Sequence, residues 1–194
     1  KAGEGLFSER MNASKGLASD LLPWLAQLKM PHASVEWRFE SIAPQPWGMH
    51  QPVLWFSSNP GTPLLPLEKV ASGGERARFM LALKAVLAQV HSAPVVVFDE
   101  IDTGVSGEVA FHMGAAMHDI ANSGHTGQIL AVTHLPQVAS KAKHQWAVQK
   151  HTEGASTFVT VEALDDKGRQ QAIASMLSAE AVTPEALSQA SHLL

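Results

Sequence analysis

Four apolar residues, Val95-Val96-Val97-Phe98, follow Pro94 and run directly into two carboxylates, Asp99-Glu100. An unbroken β-branched run of this length has the form of a strand buried on both faces, which implies a parallel sheet covered by helices. Upstream, Ser72-Gly73-Gly74-Glu75 opens a stretch in which Phe79, Leu83, Val86, Leu87 and Val90 trace one helical face over residues 74–91. A serine and two glycines at a helix start leave backbone N–H groups free at the positive end of the macrodipole, which makes an anion pocket. Each segment alone is ordinary. In succession they describe half of a phosphate-handling site, in which the strand delivers Asp99 toward a magnesium ion and Glu100 toward a water molecule. Two carboxylates beside a buried strand are costly unless compensated, and a divalent cation supplies the compensation. Strand alternation predicts that the two acids point to opposite sides.

The remaining pattern supports a mixed α/β chain. A second helix is expected over residues 106–122, leading to a strand over 128–133. Strand, helix, strand implies a right-handed parallel crossover with its functional loops at the carboxyl ends of the strands. Residues 8–30 carry Leu17, Leu21, Leu25 and Leu28 at helical spacing, with Pro23 expected to kink or split the helix. An antiparallel pair is expected from 34–41 and 52–57, joined by a proline-rich loop over 43–52. Asn59-Pro60-Gly61 is a strong turn signal, followed by an irregular segment to Pro66. A hairpin is expected from 145–150 and 157–163 around Glu153-Gly154. Two short helices, 170–177 and 184–193, close the chain, the second capped by Thr183 before Pro184. There are no internal repeats.

Composition narrows the class. With 194 residues and 45% hydrophobic content the chain can bury one or two compact cores, and its charged fraction of 16% is too low for disorder. It has no cysteine, so disulfides and thiolate metal sites are excluded. No run approaches the ~20 apolar residues of a membrane span, and nothing in the amino-terminal residues suggests export. The net charge of −4 is not the basic footprint of a surface that grips DNA.

The order of the motifs carries a resemblance. SGGE, VVVFDE, the loop Ile101-Asp102-Thr103-Gly104-Val105-Ser106-Gly107 and Ala131-Val132-Thr133-His134 resemble the signature, Walker B strand, D-loop and switch histidine of an ABC-type ATPase head. Ser58-Asn59-Pro60-Gly61, Lys69-Val70-Ala71-Ser72-Gly73-Gly74-Glu75 and Thr133-His134-Leu135-Pro136-Gln137-Val138-Ala139 are similar to the RecN family, bacterial relatives of the SMC proteins in double-strand-break repair and recombination. The resemblance implies the C-terminal half of a head, mainly a parallel sheet flanked by helices. Residues 1–33 would be the end of a returning coiled-coil arm and its entry to the head, and 34–194 the lobe that bears the motifs. It also implies ATP and Mg2+ as cofactors and a cytoplasmic, nucleoid-associated protein without a membrane partner. Implied partners are a second head engaged as a homodimer on ATP binding, and DNA through the complete protein.

The family's P-loop, G-x-x-x-x-G-K-[ST], is missing: the sequence contains no Gly-Lys dipeptide. The resemblance places that loop in an N-terminal Walker A segment of the same protein. This chain alone is therefore expected not to hydrolyse ATP. Residue by residue, the resemblance implies that Ser72, Gly73 and Gly74, with Glu75, contact ATP held by the opposite head. Asp99 would position magnesium through water, Glu100 would polarise the attacking water, and His134 would sense the γ-phosphate. Ser106 stands where many relatives have aspartate, which favours the RecN family over transporters.

Blander readings stand beside these. SGG can be only a turn and cap, Asp99 a strand-end residue, and Ser106 the cap of the next helix. Most of the ten histidines must be incidental, and His112, His118, His125, His144 and His151 lack the spacing of a zinc site. Arg76 and Arg78 cannot share a helix face, so at most one is expected to reach nucleotide. Trp24, Trp37, Trp47, Trp55 and Trp146 read as core or arm-packing residues, since no basic residues interleave with them. An ATP-binding subunit of a membrane transporter, and a DNA clamp or scaffold that has lost hydrolysis, remain alternatives.

Overall fold

The structure is a computed structural model that describes residues 2–70, 72–91, 93–153, 156–178 and 181–194. It opens with a long helix, α1 (Ala2–Gln27), followed by the hairpin β1 (Ser34–Gln45) and β2 (Gly48–Ser57). Pro23 neither ends nor splits α1. Its ring is exposed, so the carbonyl it leaves unpaired faces water, while Leu21 and Leu25 on either side are fully buried and hold the helix to the core.

The hairpin is longer than expected, because the proline-rich segment is strand rather than loop. Phe39 pairs with Pro52, and Gln45 with Gly48 across a tight turn. Proline is tolerated there because the third strand, β3 (Leu65–Pro66), pairs only with Trp55 and Phe56, leaving the rest of that β2 edge without a partner strand among the described residues. Asn59 to Thr62 forms the expected turn: Thr62 N donates to Asn59 O at 3.3 Å and Gly61 takes φ +78°, as a type II turn requires.

Next come α2 (Gly73–Val90), β4 (Ala93–Asp99), α3 (Gly107–Asn122) and β5 (Thr126–Val132). β4 and β5 pair in parallel, from Ala93 opposite Thr126 to Asp99 opposite Val132. The parallel pairing expected of the central sheet is confined, among the described residues, to these two strands; the other pairings are antiparallel. The buried face of α2 also differs from the large-residue pattern. Phe79 and Val86 are buried, Leu83 is partly so, and Leu87 and Val90 are exposed. Leu81, Ala82, Ala85 and Ala88 complete the buried surface, the alanines letting neighbouring elements approach closely.

A short helix α4 (Pro136–Ala139) lies against α3, where a Cβ on Gly114 would sit 3.0 Å from Gln137 O. The hairpin β6 (Trp146–Glu153) and β7 (Ser156–Ala163) follows; its expected turn residue Gly154 lies outside the described residues. Helix α5 (Asp166–Leu177) starts four residues earlier than its apolar pattern suggests, capped by Asp165, which accepts from Gly168 N. Helix α6 (Pro184–Leu193) has its expected Thr183 cap, accepting from Ala186 N.

One hydrophobic cluster joins the C-terminal half of α1, the β2 end, α2, β4 and α3; a smaller one joins Ala139 with α5 and α6. Trp24 packs against the main cluster, and Trp55 lies under the Arg38 guanidinium. Trp146 is exposed, contrary to the expectation of core or arm packing, and Trp47, also exposed, lines a groove with Arg10, Ala13, Ser14 and Leu17 of α1. No helix among the described residues is long and apolar enough to cross a membrane.

Candidate functional site

The carboxyl ends of β4 and β5 bring three of the sequence motifs together, and the amino end of α2 brings the fourth. Ser72 caps α2 in extended conformation, its hydroxyl accepting from Glu75 N at 3.3 Å. Ser72 and Gly73 are exposed, with open space around Gly73. Gly74 meets the loop after β4: a Cβ there would lie 3.0 Å from Gly104 O, so a side chain at this position would crowd the loop. Glu75 is tied down by Ser58, whose hydroxyl donates to its carboxylate at 2.5 Å, and Asn59 in turn donates to Ser58. The Ser58-Asn59-Pro60-Gly61 turn is thereby attached to the start of α2.

Asp99 ends β4 and is exposed on the same face as Val95 and Val97, opposite Val132 of β5. Glu100 departs from the expected alternation, because it is no longer in the strand. Its φ is +45°, a left-handed conformation that a residue with a side chain adopts at a cost of about 1–3 kcal/mol. The direction of its side chain is therefore set by this twist rather than by the pleat. Its N–H still donates to Val132 O at 3.2 Å, and its carbonyl accepts from the backbone N–H and hydroxyl of Thr103. Gly104 and Gly107 have φ +77° and +57°, in the region that favours glycine.

Ser106 occupies the position before α3, but its hydroxyl makes no capping hydrogen bond, so the reading of it as a side-chain cap is not met. His134, exposed, follows Thr133 just beyond β5. The Thr133 hydroxyl donates to Asp102 of the loop after β4 and accepts from Leu135 N at 3.0 Å. The loops that carry Glu100 and His134 are thus joined twice, by Glu100 with Val132 and by Asp102 with Thr133.

Arg78 is turned away from this edge. Its Nη1 donates to the carbonyls of Leu28 and Lys29 at 3.0 and 3.4 Å, and its Nε to Gly74 O, so it binds the end of α1 to the start of α2. Burial lowers its pKa, partly offset by Glu75. Lys29 reaches further, to Glu108 in the first turn of α3 at 2.5 Å. Arg76 is exposed. The three side chains that sequence reasoning missed are Ser58, Asp102 and Thr133. All three stood in the motif strings, but which side chains would bond across the loops, and that Asp102 is buried while Asp99 and Glu100 are exposed, could not be read from those strings.

The edge as a whole offers exposed backbone N–H groups at a helix start, two exposed carboxylates and an exposed imidazole within one set of connected loops. These are hard oxygen donors and anion-facing amides, suited to a phosphate and a hydrated Mg2+. Among the described residues no group of three or more His, Asp or Glu side chains is placed to hold a metal ion unaided.

Known proteins similar to this chain bear on its fold. No protein-family model matches the chain. It is 39% identical over 195 residues to the DNA repair protein RecN of Deinococcus radiodurans, covering all of this chain and 34% of the relative. It is 35% identical over 195 residues to RecN of Vibrio cholerae, again covering all of this chain and 35% of the relative. The chain therefore spans about a third of the length of the curated relatives it matches. Among solved structures, the Smc head domain with coiled coil and joint from Pyrococcus yayanosii superposes with a TM-score of 0.64 at 18% identity, covering 87% of this chain and 30% of that one. A chain from the structural biochemistry of ATP-driven dimerization and DNA-stimulated activation of SMC ATPases gives 0.63 at 17% identity, covering 90% of this chain and 99% of that one. At these identities the structural likeness speaks for the fold. Over its whole length the chain is similar in sequence to a C-terminal part of RecN proteins, and its fold is that of SMC head domains.

Proposed function

We propose that this chain is the signature-bearing part of an SMC-like ATPase head that acts in DNA double-strand-break repair and recombination, driven by ATP binding and hydrolysis between two heads. The observation that carries this reading is the meeting of the Gly74, Glu100, Asp102 and Thr133 segments at one edge. A turn, a cap or a strand end with only a local role has no reason to converge there with the other three.

In this reading Ser72, Gly73, Gly74 and Glu75 present amides and a hydroxyl to the γ-phosphate of ATP held by the opposite head, and Ser106 lies in the loop that crosses the same interface. Glu100 orients and polarises the attacking water, and His134 hydrogen-bonds the γ-phosphate. Asp99 holds Mg2+ through its water shell. When bound, the ion neutralises charge on the phosphates. The strained backbone of Glu100 supports a functional role, since such conformations persist where the surroundings over-determine them.

The P-loop comes from an N-terminal Walker A segment of the same protein. Support comes from the bare face of the β4–β5 pair, where Val95, Val97 and Val132 are exposed beside Asp99. That segment covers this face and thereby brings its phosphate cradle to the acid. Residues 1–33 are the end of an arm that enters the lobe of 34–194, fastened by Arg78 and Lys29. DNA is engaged by the complete protein, in the bacterial cytoplasm at the nucleoid, with no membrane partner.

The test is Glu100→Gln in the complete protein. We expect ATP binding to persist and turnover to fall about 10²–10⁴-fold, the usual contribution of a general base, with ATP-bound dimers accumulating. Turnover equal to that of the unaltered protein removes Glu100 from the mechanism.

A further inference from the structure

We propose that Asp102 is a positioning residue: through the Thr133 hydroxyl it holds the loop that bears His134 in register with the loop that bears Glu100. The proposal rests on the reading of those two residues given above. Its basis in the structure is independent of nucleotide.

Asp102 is 1% exposed, the most deeply buried ionisable side chain among the described residues. One carboxylate oxygen accepts from Thr133, and the other is buried with no hydrogen-bond partner. A half-satisfied buried carboxylate is an expensive way to join two loops if stability alone were at stake, because an apolar pair of similar volume costs less. What the carboxylate adds is direction. The Asp102 carbonyl accepts from Val105 N at 3.1 Å, fixing the turn of its own loop, while its side chain fixes Thr133. Thr133 then uses a lone pair of the same hydroxyl to accept from Leu135 N, so the residues on both sides of His134 are held. Glu100 lies two positions before Asp102, within the same turn, and its carbonyl accepts from Thr103. The Thr133 hydroxyl is thus the side-chain link between the two loops, beside the backbone bond from Glu100 N to Val132 O.

The experiment uses the complete protein with Thr133→Val, which keeps the shape and removes the hydroxyl, and Thr133→Ser, which keeps the hydroxyl. Two readouts are taken: kcat and KM for ATP, and amide hydrogen exchange without nucleotide over residues 100–106 and 133–135. We expect Thr133→Val to lower kcat about tenfold, the scale of one buried hydrogen bond, with KM changed less than about twofold. Exchange should rise in both segments together, and Thr133→Ser should restore both readouts. Unchanged kcat and exchange, a rise in KM alone, or loosening confined to residues 133–135 overturns the proposal. If the unaltered complete protein hydrolyses no ATP, the functional reading fails, and the exchange measurement still decides whether Asp102 joins the loops.

Discussion

Phe98 and Val97 are neighbours in β4, yet Phe98 is 1% exposed in the main cluster with Lys84 of α2 over its ring, while Val97 is 52% exposed on the opposite face. The register extends the contrast along the pair. Val96, Phe98 and Ile129 lie on the covered face, and Val95, Val97 and Val132 on the bare one. Both faces are apolar, and only one is covered by the described helices. In the proposed reading the sequence of these strands is written for two layers, of which this chain supplies one. The motif residues lie where the layers meet: Asp99 ends the bare face, and the loops beyond it carry Glu100 and His134.

Phe98→Ala should break the covered side, costing about 3–5 kcal/mol in chemical denaturation of the chain, as for other fully buried phenylalanines. A cost below about 1 kcal/mol would mean that this face is not the core. Val97→Ala sharpens the other side of the contrast. In this chain alone its cost should stay within about 0.5 kcal/mol, as for an exposed position. In the complete protein the same change should cost about 1–2 kcal/mol, since the valine becomes buried. Equal small costs in both would show that nothing covers the face.

The smallest effect concerns the ion pair of Lys29 with Glu108, which lies at the solvent rim and joins the arm end to α3. Lys29 first, and His112 to a lesser degree, hold the Glu108 carboxyl below its ordinary pKa. A depressed carboxylate stabilises the fold at pH above its ordinary value, about 4.3, and loses that contribution as pH falls through the lowered one. Because Glu108 is exposed, the loss on acidification should be slight, and Glu108→Gln should leave the acid limb of a denaturation profile nearly unchanged. A large shift of that limb would place the pair in a drier setting.

The legibility of the molecule follows the same division. β4, the start of α2, the parallel partner β5 and the turn at Asn59-Pro60-Gly61 could be read because local chemistry decides them: a β-branched run, a serine cap, a type II turn. Pro23 and Pro52 misled, since whether a missing N–H matters depends on whether that edge or face meets water, which is a tertiary fact. The bare face could not be distinguished from the covered one, because both present valines at alternate positions. At the site, the grouping of Ser72 to Glu75, Asp99, Glu100, Ser106 and His134 into adjoining loops was legible from motif order. The direction of Glu100 was not, since a positive φ overrides alternation. Nor was the use of Arg78, which is committed to the carbonyls of Leu28 and Lys29.

The central claim is that this edge is one half of an ATP site shared between two heads. It is tested most directly by co-expressing two inactive forms of the complete protein, Ser72→Arg and Glu100→Gln. In a two-fold dimer each mixed pair regains one site with an intact signature facing an intact Glu100. Random pairing should therefore restore roughly a quarter of the turnover of the unaltered protein. Turnover no higher than the sum of the two forms assayed separately would contradict a shared site.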